Sequence, residues 1–172
     1  NLRIKTGYCD DTSFDQDLFL EGIPNAMAVV WDHLAKDPTR CDARRVTVFD
    51  DMAEEEFKAK YPKATVSSFN SGQTYNCDIT VWIGEGVVRV AEHWRKEPTK
   101  RVLAKMMDGK IIDITDISAA QRKFLPIKDQ RTVDTHKIVQ YIVSGTEILK
   151  GPNEWAGHLL PIVACIGEEM WI

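Results

Sequence analysis

A chain of 172 residues is long enough to bury one sizeable core and short for two independent domains. Hydrophobic residues make up 44% and charged residues 28%, a balance typical of globular proteins and not of disordered ones. The net charge of −4 excludes the basic surplus with which dedicated DNA-binding domains neutralise phosphates.

The first third of the chain is predicted to be mainly β-structure, because apolar and polar residues alternate there. The connection at residues 10–14 is polar, and Val46 and Val48 fall on one face of the last strand of this group. The four predicted strands are Leu2–Tyr8, Asp17–Ile23, Ala26–Trp31 and Arg45–Phe49.

A short helix follows. Asp51 is predicted to cap it, with Glu54 three residues later completing a capping box. Phe57 and Tyr61 are four residues apart and therefore share one helix face, and Pro62 ends the helix.

The second half of the chain begins after residues 63–76, which are rich in Ser, Asn, Gly and Thr and are predicted to form a loop. This loop would join lobes at residues 1–66 and 80–172 of a single domain spanning 1–172. Asp108–Gly109 is the clearest local signal, because this pair suits the positive-φ positions of a tight hairpin. The other predicted elements are strands over Val87–Trp94, Arg101–Met107, Lys110–Ile114, Arg131–Val143 and Thr146–Leu149, a helix capped by Asp116 or Ser118 and ended by Pro126, a loop over Pro152–Gly157, and a final strand.

These elements predict an α+β fold made mostly of antiparallel strands and hairpins, with two or three short helices. The chain begins at Asn1, directly before a strand, and closes on an apolar segment, so we expect it to be a piece of a longer polypeptide. No signal peptide, membrane-spanning run or lipidation motif is visible, and a cytoplasmic protein is predicted. The four cysteines, at positions 9, 41, 77 and 165, form no CxxC motif and are predicted to be buried thiols.

No motif predicts a catalytic residue, a cofactor site or a metal site. The four histidines lack HxxxH spacing, Gly84–Gly86 lacks the third glycine of a dinucleotide loop, and neither a Walker sequence nor a GxSxG motif occurs. Three acidic pairs could in principle bind Mg²⁺, although capping and turn formation explain them better. They are Asp10 with Asp11, Asp50 with Asp51, and Asp113 with Asp116. An alternative function is therefore a metal-dependent nuclease or hydrolase that uses Asp50, Asp51, Asp113 or Asp116 with a histidine.

Aromatic and basic residues offer a second alternative, a nucleic-acid-binding module. Five tryptophans are many for this length, but only Trp94 is followed by basic residues, at Arg95, Lys96 and Arg101. Core and subunit-interface packing is the favoured role of the tryptophans. The basic residues near 95–101 and 122–131 are mixed with acidic ones, and a solvent-facing surface of mixed charge is predicted there.

Longer strings of the sequence resemble the portal proteins of short-tailed bacteriophages and prophages. The similar segments occur in the family's order and touch about two-thirds of the chain. They are Glu21–Asp32 (EGIPNAMAVVWD), Asp42–Met52 (DARRVTVFDDM), Glu55–Pro62 (EEFKAKYP), Val88–Pro98 (VRVAEHWRKEP), Val139–Leu149 (VQYIVSGTEIL) and Glu154–Glu168 (EWAGHLLPIVACIGE). Ala53 stands where the family usually has Ser, so the helix cap is expected from Asp51 or from the backbone.

The resemblance implies a structural component of a portal ring at one capsid vertex, and this chain resembles the wing-like part of that component. It implies a homo-oligomeric ring, typically a dodecamer, through which DNA is packaged and ejected, and on which terminase, tail factors and capsid or scaffolding proteins dock. The expected location is the virion, after assembly in the bacterial host cytoplasm. It also implies no enzymatic activity, no cofactor, no membrane association, and DNA that passes through the assembled channel without tight binding to this chain.

Overall fold

Antiparallel strands build most of the chain over the residues that the computed structural model describes, 1–66, 83–84 and 86–165. The helical elements are α1 (Glu54–Lys60), α2 (Ala119–Arg122) and a single 3₁₀ turn at Ala26–Ala28. The strands are β1 (Leu2–Tyr8), β2 (Gln16–Gly22), β3 (Val29–Trp31), β4 (Arg45–Ala53), β5 (Ile83–Gly84), β6 (Val87–Met106), β7 (Ile111–Asp113), β8 (Ile127–Val143), β9 (Ile148–Trp155) and β10 (Ile162–Val163). This arrangement confirms the predicted α+β fold class.

The strands form two sheets. The smaller has the order β10-β1-β2, and the larger has the order β3-β4-β6-β8-β9, with β5 and β7 also pairing with β6. Two compact units result: unit 1 contains residues 1–95 and 138–172, and unit 2 contains residues 96–137. The lobe boundary predicted between residues 66 and 80 stays a prediction, since most of that segment lies outside the described residues. No helix in the described part of the chain is long and apolar enough to cross a membrane.

The core of unit 1 depends on the alternation in β4. Val46 and Val48 are 0% and 1% exposed, whereas Thr47 between them points to the other face, as the sequence predicts. Val46 and Val48 belong to a hydrophobic cluster of buried residues that are far apart in the sequence. Its members are Val29, Ala43, Val46, Val48, Trp94, Ile138, Leu160 and Ile162.

Helix α1 packs against unit 1 through the buried Phe57 side chain. Phe57 is fully buried in a second cluster and lies 5.4 Å from the Tyr61 ring, which confirms the predicted shared face. The predicted cap at Asp51 is wrong, because Asp51 lies within β4 and Ala53 occupies the cap position without a side-chain hydrogen bond. The backbone replaces it: the Glu54 N–H donates to the Gly86 carbonyl at 3.2 Å.

The predicted hairpin and the predicted cap at Ser118 are confirmed in position. The turn that joins β6 to β7 contains Gly109 at φ +89°, with Lys105 paired to Ile111, but Asp108 does not have the positive φ predicted for it. Ser118 caps α2 and forms a complete capping box with Gln121.

Three strand predictions need correction. The strand predicted over 26–31 begins only at Val29, because the Asn25 side chain accepts a hydrogen bond from the Met27 N–H and caps a 3₁₀ turn. The separate strands predicted on either side of Pro98 are one continuous strand, β6, since the fixed φ of proline is compatible with extended backbone. The loop predicted at 152–157 is largely strand β9, whose position at the sheet edge tolerates Pro152.

The cysteine prediction is also corrected. Cys9, Cys41 and Cys165 are thiols, as expected, but all three are exposed. Cys77 lies outside the described residues. Their positions beside loops and strand ends explain the difference, because the core of unit 1 is filled by the branched side chains and tryptophans of the strands.

Candidate interaction surfaces

Arg89 binds Asp51, one member of an acidic pair that the sequence offers as a metal site. The Arg89 guanidinium donates two hydrogen bonds to the Asp51 carboxylate, at 2.7 and 3.0 Å, and these bonds hold the pKa of Asp51 below its ordinary value. A carboxylate in a bidentate pair with arginine is already neutralised. Asp51 therefore stabilises the pairing of β4 with β6 and offers little to a cation.

The other acidic pairs organise turns. Asp10 accepts hydrogen bonds from the Thr12 hydroxyl and N–H, and Asp113 accepts the same two from Thr115; the hydroxyl bonds lead in lowering the pKa of each carboxyl. Asp10 with Thr12 and Asp113 with Thr115 thus form local Asx turns. Within the described residues, no three His, Cys, Asp or Glu side chains converge as metal ligands would.

Trp94 is not available for stacking on a base. Its side chain is 6% exposed, its indole N–H donates to Glu92 Oε1 at 2.9 Å, and its ring meets the Trp155 ring edge-on at 6.1 Å. Arg95 lies over the Tyr141 ring at 5.6 Å, and Arg101 approaches Asp113 at 3.8 Å. Packing is therefore the role of Trp94, as the sequence favours.

Glu92 is the centre of a polar network in unit 1. Besides Trp94, it receives a hydrogen bond from Gln140 Nε2 at 2.5 Å, and Arg3 Nε lies 3.1 Å from its other oxygen as an ion pair without hydrogen-bond alignment. Asn153 extends the network by donating to Gln140 at 3.1 Å. One carboxylate thus ties together β1, β6, β8 and β9, and sequence reasoning missed it because no local pattern links these positions.

An apolar groove of about 780 Å³ opens along β3 and the 3₁₀ turn of unit 1. Met27 is 86% exposed and Val30 is 50% exposed at its wall, and the Asp51–Arg89 pair closes one end. The groove can accept apolar side chains, and its described lining residues include no nucleophile with an adjacent base.

The β1–β2 hairpin presents a second uncovered surface. Its strands pair in register from Leu2 with Gly22 to Tyr8 with Gln16, so that Tyr8, Leu18 and Leu20 lie on one face. These three side chains are 60%, 63% and 71% exposed. An apolar sheet face of this kind is unusual on a monomer and marks an interaction surface.

Unit 2 carries a smaller groove of about 220 Å³. Lys105 and Arg131 line it together with Leu103 and the 69% exposed Ile111, and Asp129 is its one acidic residue. Its lining therefore combines apolar and basic side chains.

One comparison with known proteins identifies the family. The sequence matches the family model described as Phage P22-like portal protein over residues 1–172, the whole chain. The match agrees with the strand-dominated fold and with the uncovered surfaces expected of a subunit that assembles with others. The chain belongs to the family of P22-like phage portal proteins, which are structural proteins of bacteriophages.

Proposed function

We propose that this chain forms part of a subunit of the phage portal ring, located at the capsid vertex of the virion. In that ring, about a dozen copies surround the channel through which DNA is packaged and later ejected. Terminase and tail factors dock on the same ring, and capsid or scaffolding proteins hold it in the shell. The subunits assemble in the host cytoplasm.

The family match over the whole sequence carries this proposal. The exposed apolar faces of the β1–β2 hairpin and of the groove beside β3 support it, because a subunit built for assembly leaves such faces for its neighbours. The mildly acidic charge supports a position away from tight DNA contact.

Electron microscopy of the purified portal protein that carries this sequence tests the proposal. Closed rings with a central channel are the expected result, and symmetry analysis of end-on views gives the subunit number. Monomers or twofold dimers as the sole species, across protein concentrations, would contradict the ring.

We also propose that the chain has no catalytic role. Two of the aspartates that a metal-dependent hydrolase would need already have partners: Asp51 is paired with Arg89, and Asp113 accepts hydrogen bonds from Thr115. A thermal unfolding scan with Mg²⁺, Mn²⁺ or Zn²⁺ is expected to show no rise in the unfolding temperature. A concentration-dependent rise, lost in Asp113→Asn, would revive the hydrolase alternative.

A further inference from the structure

We propose that the acidic β1–β2 hairpin of one copy of this chain docks in the basic groove of unit 2 of the next copy. The hairpin surface consists of residues 8–22, and the basic groove is that lined by Leu103, Lys105, Ile111 and Arg131. The proposal rests on the ring proposed above and names the surfaces that join its subunits.

Charge is divided unequally between the two units. Unit 2 has ten Lys and Arg against six Asp and Glu, a net charge of +4 within 42 residues. Unit 1 has twelve against twenty, a net charge of −8. Two copies therefore attract each other when unit 2 of one faces unit 1 of the other.

The hairpin concentrates the acidic charge. Residues 8–22 contain five Asp and Glu and no Lys or Arg. Glu21 is paired with Lys5 at 2.5 Å and with Arg3 at 3.4 Å, but the other acids have no cation within 4 Å among the described residues. Those acids are Asp10, Asp11, Asp15 and Asp17.

The groove offers the matching charge. Neither Lys105 nor Arg131 has an ion-pair partner in the part of the chain that the structure describes. The two surfaces also match in polarity, since Leu18 and Leu20 of the hairpin would cover Ile111 while the acids at the hairpin tip would pair with Lys105 and Arg131. Both desolvation of apolar surface and charge pairing then favour the contact.

Strand β2 adds a sheet edge that has no partner strand among the described residues. Its seven residues include neither proline nor a bulge and only Asp17 and Glu21 as charged residues, whereas the edge strand β9 has Pro152 and register shifts in its pairing with β8. Natural proteins rarely leave such an edge open. A covering partner explains why it is retained here.

A twofold contact between two hairpins fits less well. Antiparallel pairing of two β2 strands centred on Phe19 would place Asp17 opposite Glu21 twice, and directly opposed like charges destabilise a sheet. A contact between different surfaces of successive copies avoids this repulsion and is the kind that closes into a ring.

Charge reversal in the intact portal protein tests the contact. The hairpin variant is Asp11→Lys with Asp15→Lys, whose side chains make no hydrogen bond in the described residues, and the groove variant is Lys105→Glu with Arg131→Glu. Glu56→Lys with Glu154→Lys, at exposed positions, is the control with the same net charge change as the hairpin variant. Unfolding temperatures of all variants verify that they fold.

The quantity measured is the protein concentration at which half the subunits are in rings, by sedimentation velocity. Each reversed variant alone is expected to raise it at least tenfold, and the control by less than threefold. The variant with all four hairpin and groove substitutions, and an equimolar mixture of the hairpin and groove variants, are both expected to return to within threefold of wild type. In the mixture every hairpin finds a groove of opposite charge.

Other outcomes overturn the inference. Normal assembly of the hairpin variant means that this surface faces no neighbour, although wild-type rings would leave the ring proposal standing. Rescue in the fourfold variant but not in the mixture means that the contact forms within one chain. A wild-type protein without rings removes both proposals.

Discussion

Replacing Phe57 with alanine should release helix α1 from unit 1. Phe57 is the only residue of α1 that is fully buried, and the helix has seven residues and no side-chain cap. A helix of this length does not persist in water without tertiary contacts. The stability of α1 therefore depends on this one aromatic side chain.

The size of the effect follows from the burial. Deleting a fully buried phenylalanine side chain costs about 3–5 kcal/mol, and alanine returns about 0.5 kcal/mol through its better helix propensity. The net loss of about 2.5–4.5 kcal/mol corresponds to roughly two to three orders of magnitude in the opening equilibrium of the helix.

Hydrogen exchange measured by mass spectrometry or NMR checks this prediction. The Tyr61 N–H, which donates to the Phe57 carbonyl at 2.8 Å, should exchange roughly 100- to 1000-fold faster in Phe57→Ala. Phe57→Leu should fall between the variant and wild type, and Glu55→Ala, at an exposed position of the same helix, should change little. A Tyr61 exchange rate within threefold of wild type in Phe57→Ala would refute the reasoning.

Three further predictions concern single positions in unit 1 and unit 2. Gly151→Ala should lower the free energy of unfolding, measured by chemical denaturation, by more than about 2 kcal/mol, because φ is +122° and the new Cβ would lie 2.7 Å from a backbone carbonyl of β8. The control Gly109→Ala is also at positive φ but faces open space, and it should cost about 1 kcal/mol in the same measurement. Burial, followed by the charges of nearby arginines, lowers the pKa of His93 in the folded protein. The unfolded state therefore takes up a proton at higher pH than the folded state, and the free energy of unfolding should fall as the pH drops below about 6.5. His93→Gln should reduce the pH dependence of the free energy of unfolding measured between pH 7.5 and 5.5. The pKa of Asp51 is lowered in the folded protein, so its ion pair stabilises the fold fully above the ordinary aspartate pKa, and this stabilisation is lost as the pH falls through the pKa of the folded state. The difference in unfolding free energy between wild type and Arg89→Met is at most about 1 kcal/mol for this half-exposed pair. That difference should vanish near pH 2 in acid titrations.

Local signals in the sequence predicted the elements that depend on local chemistry. The hairpin at Asp108–Gly109 follows from the positive φ that Gly109 adopts, and the Ser118 cap follows from the spacing to Gln121. The alternation of Val46 and Val48 gave the buried face of β4 for the same reason, since a strand repeats every two residues.

Features that depend on tertiary pairing escaped prediction. Asp51 has the sequence signature of a helix cap, but its bidentate bond to Arg89, 38 residues away, keeps it in β4. The partners of Glu92 lie on β1, β6 and β8, and no spacing rule connects them. The exposed face of the hairpin was also missed, because alternation identifies a strand without saying which of its faces is covered.

The pairing of β1 with β10 has a consequence for synthesis. Leu2 pairs with Val163 and Arg3 with Ile162, so β1 leaves the ribosome well before β10 and must wait for this partner strand to be synthesised. At roughly 5–20 residues per second, that wait lasts on the order of 10–30 s. During this time both edges of the β1–β2 hairpin are open to strands of other nascent chains. The yield of soluble subunit should therefore rise when nascent chains are spaced further apart by slower initiation, and fall when elongation is slowed, before any ring can form.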